Sequence, residues 1–184
     1  MDNDKILYEN FLNGNKEAFD ILMDKYRLNL IYFINKFLND VEASEDLAQD
    51  VFVYILINRK EYDFKYSMKT YLYTIAKSRT LNYLKRRKKI VQIDDNYISN
   101  IEDTYLEEAE EAIYAEGRNK ELYNAMKNLN RSQQIVIYLA DIEELSYKDI
   151  SKILGKSVPQ VKMTLYRARK KLKVILKKGE DKNE

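Results

Sequence analysis

Residues 145–176 read LSYKDISKILGKSVPQVKMTLYRARKKLKVIL, and this stretch decides the fold: two helices joined by a tight turn. Ile150, Ile153 and Leu154 set the apolar face of the first helix, and Ser146 stands where a side chain caps the exposed amides. Gly155 ends that helix, because glycine tolerates the left-handed backbone that closes one. Ser157 caps the next helix, and Pro159 falls in its first turn, where a missing N–H costs nothing. Val161, Leu165 and Leu172 form one apolar stripe. The opposite face carries Lys162, Arg167, Arg169, Lys170, Lys171, Lys173, Lys177 and Lys178, with no acidic residue from Lys162 to Lys178. A glycine in a short turn between two helices is the helix-turn-helix plan, whose second helix enters the DNA major groove. An amphipathic hairpin with a solvated basic face is the competing reading.

Upstream, Leu122, Ala125, Met126 and Leu129 close one helix, and Ile135, Val136, Leu139 and Ala140 make the next, so the C-terminal unit reads as a bundle of about four helices. Before it lie nine acidic residues and no basic one between Asp94 and Glu116. The first part of this segment reads as a linker, and a helix is expected after about Thr104. Lying between two basic stretches, the acidic segment is placed to fold back on them when no nucleic acid is bound.

From Arg59 to Lys89 the charge reverses, with eleven basic residues against Glu61 and Asp63. Tyr62, Phe64, Tyr66, Tyr71, Tyr73 and Tyr83 are interleaved with the cations. Lysine and arginine beside rings suit a single strand, whose phosphates pair with cations while bases stack at about 1–3 kcal/mol each. Leu72, Ile75, Ala76 and Leu84 mark the buried stripe of a helix from about Ser67 to Lys88, so half of the six rings, Tyr83 among them, are assigned to the core.

Nearer the start, Phe19, Leu22, Tyr26, Leu30, Phe33, Ile34 and Phe37 repeat at three and four residues, the core faces of one or two helices between Asn10 and Leu38. Asn39 and Asp40 break that pattern, and a new helix starts near Val41, buried along Leu47, Val51, Tyr54 and Ile55. Asp46, Gln49, Asp50 and Val53 share its other side as a polar and acidic strip with an apolar edge, which spacing alone reads as solvated surface.

Composition narrows the chemistry. One proline and four glycines in 184 residues argue for an all-α chain. With no cysteine and no histidine, zinc fingers, disulfides and Ser-His or Cys-His catalysis are excluded. No run of about 20 apolar residues suggests a membrane span, and MDNDK does not read as a signal peptide, so a cytoplasmic location without membrane insertion is expected. Neither a cofactor nor a metal is expected, and no enzymatic activity.

Three segments together resemble the extracytoplasmic-function sigma factors of the bacterial sigma-70 family: ASEDLAQDVFVYI at 43–55, MKTYLYTIAKSRTLNYLKRRKK at 68–89 and LSYKDISKILGKSVPQVKMTLYRARKKLK at 145–173. The resemblance implies two small helical domains, with region 2 at residues 1–90, an acidic flexible linker at 91–105, region 4 at 106–178 and a polar tail at 179–184. It implies a protein that binds bacterial core RNA polymerase, at the β′ clamp helices and the β flap, and opens double-stranded promoter DNA to hold a single strand. An anti-sigma factor is a further implied partner. Carried onto this chain, the resemblance places the polymerase interface at Glu45, Asp46, Gln49, Asp50 and Phe52. Contacts to the −10 element and melting fall to Lys65, Tyr71, Tyr73, Lys77, Ser78, Asn82 and Arg86. Contacts to the −35 element fall to Gln160, Lys162, Met163, Thr164, Arg167, Arg169 and Lys170. The chain departs from the family at Tyr71, where many members carry Trp, at Ser78, where Asn is common, and at Gln160, Met163 and Thr164, where Thr, Ser and Arg are frequent.

Two other readings use parts of the same sequence. A dimeric helix-turn-helix regulator accounts for the C-terminal unit but leaves the rings and cations of Tyr62 to Lys89 unexplained. A nuclease holding magnesium on Asp46 and Asp50, or on Asp94 and Asp95, needs a shaped substrate pocket beside its carboxylates.

Overall fold

Helices α1 (Asn3–Leu12), α2 (Lys16–Leu38), α3 (Val41–Ile57) and α4 (Met68–Val91) form the N-terminal unit of the computed structural model. The structure describes residues 3–91 and 125–180, with side chains at 3–87 and 125–177. Val91, the first residue of the expected linker, is still the end of α4, and residues 179–180 of the expected tail continue the last helix. The acidic segment, the expected helix from Thr104, residues 92–105 of the expected linker, Leu122 and residues 181–184 lie outside the described residues, as do the side chains of Lys88, Lys89 and Lys178.

The periodic stretch predicted as one or two helices is α2, preceded by the short α1, and Asn15 caps the start of α2 by accepting from the Ala18 amide at 3.3 Å. Asn39 ends α2 in the left-handed region at φ 53°, which asparagine tolerates better than most residues. Asp40 then caps α3 by accepting from the Ala43 amide at 3.1 Å. Beneath this turn the buried Asn35 accepts from the Asp40 amide at 2.8 Å, and the buried Ser44 donates to the Asp40 carbonyl at 2.6 Å. The other Asp40 carboxylate oxygen meets Arg87 of α4 at 3.4 Å, so one side chain joins the start of α3 to α4. The Ser67 hydroxyl accepts from the Thr70 amide at 3.2 Å and starts α4.

Leu30, Phe33 and Ile34 of α2, Val51 and Ile55 of α3, and Leu72, Tyr73 and Ala76 of α4 meet in the core, with Tyr8 and Phe11 of α1 closing one side. Each fully buried ring or branched side chain contributes about 1.5–3 kcal/mol, which outweighs the weak intrinsic propensity of so short a helix as α1. The buried Asp4 binds Lys25 at 2.5 Å and accepts from the Tyr26 hydroxyl, tying α1 to α2.

In the second unit, a helical turn at 125–127 precedes α5 (Arg131–Ile137), α6 (Tyr147–Leu154) and α7 (Val158–Glu180). Asn130 and Gln133 form a reciprocal capping box at the start of α5. The helix expected through Ala140 widens instead into a π-helix at Tyr138–Ile142. Behind it the buried Tyr138 donates its hydroxyl to Glu143 at 2.8 Å, and Glu144 turns the chain at φ 56°. The helix-turn-helix forms as its sequence predicts: Ser146 accepts from the Asp149 amide at 3.1 Å, and Gly155 has φ 63°. Ile150, Ile153, Val161, Leu165, Ala168 and Leu172 are buried, while Leu154 is only half-buried. Lys156 in the turn donates to Ser132 at 2.8 Å, fixing the turn against α5. Among the described residues no strand is present, and no helix is long and apolar enough to cross a membrane.

Candidate functional site

One side of α3 belongs to the core and the other is left open. Asp46, Gln49 and Asp50 are exposed, followed on the same face by Val53, Leu56 and the 75% exposed Ile57. Leu56 and Ile57 were not among the predicted site residues, yet they fall at the helical spacing that continues from Asp46 and Asp50 through Val53. Of the predicted interface, Glu45 is half-buried and Phe52 is in the core, edge-on to Phe19 with ring centres 6.4 Å apart. Phe52 therefore supports this face from within and cannot be a surface contact. Its position on the helix is one residue away from the open strip, which the spacing already marks as inward.

The loop before α4 is pinned by α1 and by its own rings. Tyr8 donates to the Arg59 carbonyl at 2.9 Å, Lys5 to the Phe64 carbonyl at 2.7 Å, and the buried Tyr62 to the Tyr66 carbonyl at 2.7 Å. Lys65 is exposed on this loop. On α4, Tyr71 is half-buried against Tyr62, with centres 5.1 Å apart, and its hydroxyl is buried with no hydrogen-bond partner. Burial, with smaller contributions from Tyr54 and Glu61, pushes the Tyr71 phenol up to about 12. Burial also raises the Tyr8 phenol.

Tyr73, assigned by the resemblance to DNA, is fully buried and packs edge-on against Phe33 at 4.9 Å. It is two residues from Tyr71, which places it on the far side of the helix. Tyr83, assigned to the core, is half-exposed and lines a groove of about 520 Å³ between α3 and α4. Exposed Ser78, Asn82 and Arg86 open into the same groove, whereas half-buried Lys77 lies on another side of α4 and does not line it. Asp50 and Tyr54 supply its α3 wall, and Tyr54 donates to Glu61 at 2.7 Å.

On α7 the predicted −35 residues divide: Lys162, Arg169 and Lys170 line one groove with Tyr147, and Gln160, Met163, Thr164 and Arg167 lie outside it. Lys162, Met163, Arg167 and Lys170 are exposed, and the Lys162 ammonium lies 5.7 Å from the centre of the Tyr147 ring. Gln160 accepts from the Ser157 amide at 2.8 Å while Ser157 accepts in return from the Gln160 amide, so the side-chain carbonyl needed for two-point pairing with adenine is occupied by the cap. Thr164 donates to the Gln160 carbonyl at 2.8 Å. Arg169 donates from Nε and Nη2 to the two carboxylate oxygens of Asp141, and that hydrogen bonding raises its pKa further. Its charge is already met, so it is a poor candidate for a phosphate or a guanine. Tyr166 and Val174, both exposed on α7, were missed because a basic context hides apolar positions.

Comparison with known proteins agrees with this division. Family models for sigma-70 region 2 and sigma-70 region 4 match residues 22–90 and 119–172. The chain is 28% identical over 166 residues to the RNA polymerase sigma factor YlaC of Bacillus subtilis (strain 168), covering 90% of this chain and 96% of that protein. It is 26% identical over 173 residues to the ECF RNA polymerase sigma factor SigW of the same organism, covering 89% and 91%. In fold it is similar to the sigma factor RpoE solved with the anti-sigma factor NepR from Bartonella quintana, with a TM-score of 0.66, 22% identity and coverage of 88% and 98%. CnrH, solved with the cytosolic domain of CnrY, is similar at a TM-score of 0.63 and 22% identity, with coverage of 96% and 98%.

Proposed function

The chain belongs to the extracytoplasmic-function sigma factors of the sigma-70 family, and from that premise we propose how its two helical units divide the work of promoter-specific transcription initiation. Residues 1–90 act as region 2 and 106–178 as region 4, joined by the acidic linker at 91–105, with 179–184 as a polar tail. The protein works in the cytoplasm, carries out no bond chemistry and supplies binding energy alone. Its partners are the β′ clamp helices and β flap of core polymerase, promoter DNA and an anti-sigma factor.

The observation that carries this reading is the open face of α3, where Asp46 and Asp50 stand beside exposed Val53, Leu56 and Ile57. Apolar side chains grouped at helical spacing beside carboxylates favour a protein surface that is apolar and basic. Glu45, Asp46, Gln49 and Asp50 with the three apolar residues form the docking face for polymerase. Lys65, Tyr71, Lys77, Ser78, Asn82 and Arg86 hold the opened −10 strand, Tyr73 keeping α4 in place from beneath. Extruding a base costs a few kcal/mol, which stacking and phosphate contacts must offset.

Lys162, Met163, Thr164, Arg167 and Lys170 face the −35 duplex, where a two-point contact from Arg167 to guanine is worth about 1–3 kcal/mol of discrimination. Each unit binds weakly alone, and docking on one polymerase makes the second contact intramolecular. Run-off transcription with bacterial core polymerase on a promoter library tests the assignment. Promoter-specific start sites are expected, and competent core enzyme that gains none from this chain would overturn it.

A further inference from the structure

Arg79 sits where the docking helix and the DNA helix meet. Its guanidinium carbon lies 4.9 Å from the centre of the Tyr54 ring, and its Nη1 lies 3.7 Å from an Asp50 carboxylate oxygen. Tyr54 and Asp50 belong to α3, whereas Arg79 follows Ser78 on α4, with Asn82, Tyr83 and Arg86 along the same groove. Neither the docking face nor the −10 set, as assigned, uses Arg79.

Exposure decides which of its two contacts holds. The Asp50 side chain is 59% exposed and that of Arg79 32%, and the N···O separation is long beside the roughly 2.7–2.9 Å of a strong charge-assisted hydrogen bond. Such a pair is screened and readily exchanged. The Tyr54 ring instead orients the guanidinium through its face and leaves the N–H donors to other partners. Asp50 therefore occupies a fork that Tyr54 positions, and a phosphate, with two oxygens and full charge, fits that fork better.

We propose that Arg79 is a phosphate-binding residue for the single strand in the groove between α3 and α4, oriented by Tyr54 and withheld by Asp50 until a basic partner surface neutralises that carboxylate. The proposal rests on the assignment of α3 to polymerase and α4 to DNA. Docking then releases a cation on the DNA side of the unit with no movement of either helix, and affinity for the open strand rises on assembly.

The test uses the full chain and a fluorescein-labelled single-stranded oligonucleotide of promoter sequence, read by anisotropy over a series of salt concentrations. Asp50→Asn is expected to bind about two- to fivefold tighter than wild type, the strength of an exposed ion pair expressed as an affinity ratio. Glu42→Gln, the same charge change about two turns earlier on exposed α3 surface, is expected to gain less. The gain should vanish in the Asp50→Asn, Arg79→Gln double variant, whose slope of log affinity on log salt should lie below that of Asp50→Asn by about 0.7. Should Arg79→Gln melt early by circular dichroism, Arg79→Lys in the Asp50→Asn background serves instead, keeping the slope while losing the gain. A gain equal to that of Glu42→Gln, a gain that survives loss of Arg79, or an unchanged slope overturns the proposal. If wild-type holoenzyme initiates at promoters and no coupling is found, the gate alone fails; if it does not initiate, the assignment beneath it fails.

Discussion

Replacing Tyr73 and Tyr71 separately by alanine should produce opposite defects, although the two residues are neighbours but one on α4. Tyr73 is fully buried against Phe33. Removing such a ring leaves a cavity and costs about 3–5 kcal/mol. In a unit of this size each kcal/mol moves the melting temperature by about 4–8 °C, so Tyr73→Ala should melt at least about 12 °C early. Tyr71 is half-buried, and its hydroxyl has no partner to lose. Its truncation should cost only about 1–2 kcal/mol of stability, but it should remove one stacking platform, a loss of about 1–3 kcal/mol or roughly 5- to 150-fold in single-strand affinity. Circular dichroism follows the helices through melting, and anisotropy of a labelled −10 strand follows binding by the holoenzyme. A Tyr73→Ala variant that melts normally and loses only DNA affinity would refute the placement of that ring in the core. A Tyr71→Ala variant with wild-type strand affinity would refute the role of the half-buried ring.

Ile57→Lys, at a position 75% exposed, should leave stability within about 0.5 kcal/mol and weaken core polymerase binding at least about tenfold, the loss of one buried apolar side chain; fluorescence titration of core enzyme with labelled chain measures it. Because burial holds the Tyr71 phenol at about 12 in the fold against an ordinary 10.0, the unfolded chain ionises first. Stability from this group is complete below pH 10 and falls as pH rises from 10 towards 12, so the drop in urea midpoint between about pH 9.5 and 11.5 should be smaller in Tyr71→Phe. On α7, Lys170→Ala should lower the salt slope of holoenzyme binding to −35 duplex by about 0.9, and Arg169→Ala by less, because Asp141 already neutralises Arg169. Equal slopes for the two would show that the ion pair opens on DNA.

The helix-turn-helix was legible because its punctuation is local. Ser146 and Gly155 need only their own neighbours to cap and close a helix, and both do so. The same holds for Asp40 and for Ser67 at the starts of α3 and α4. Direction around a helix was legible only where the apolar pattern was clean. Phe52 and Tyr73 enter the site only through the family resemblance, and each lies on the inward side of its helix. Tyr83 was drawn the other way. The π-helix at Tyr138–Ile142 left no trace in the sequence, since Ile135, Val136 and Leu139 suit an α-helix equally well. Gln160 illustrates a third case: the spacing from Ser157 to Gln160 is a capping box, and the same side chain type reads bases, so only geometry separates the two uses.

Asp40 connects features that promoter choice and polymerase choice would otherwise vary independently. One carboxylate oxygen starts the docking helix at the Ala43 amide, and the other holds Arg87 near the distal end of the described part of α4. Serine or asparagine at this position would keep the cap and release the arginine; glutamate would reach the arginine and forfeit the cap, being poorly suited to it. Drift in the pitch of the DNA helix is thus filtered through a residue that the polymerase-facing helix also needs. Sequence change at residues 40 and 87 is expected to travel as a pair, and a swap of α4 from another promoter specificity should be tolerated only when its partner for Asp40 comes with it.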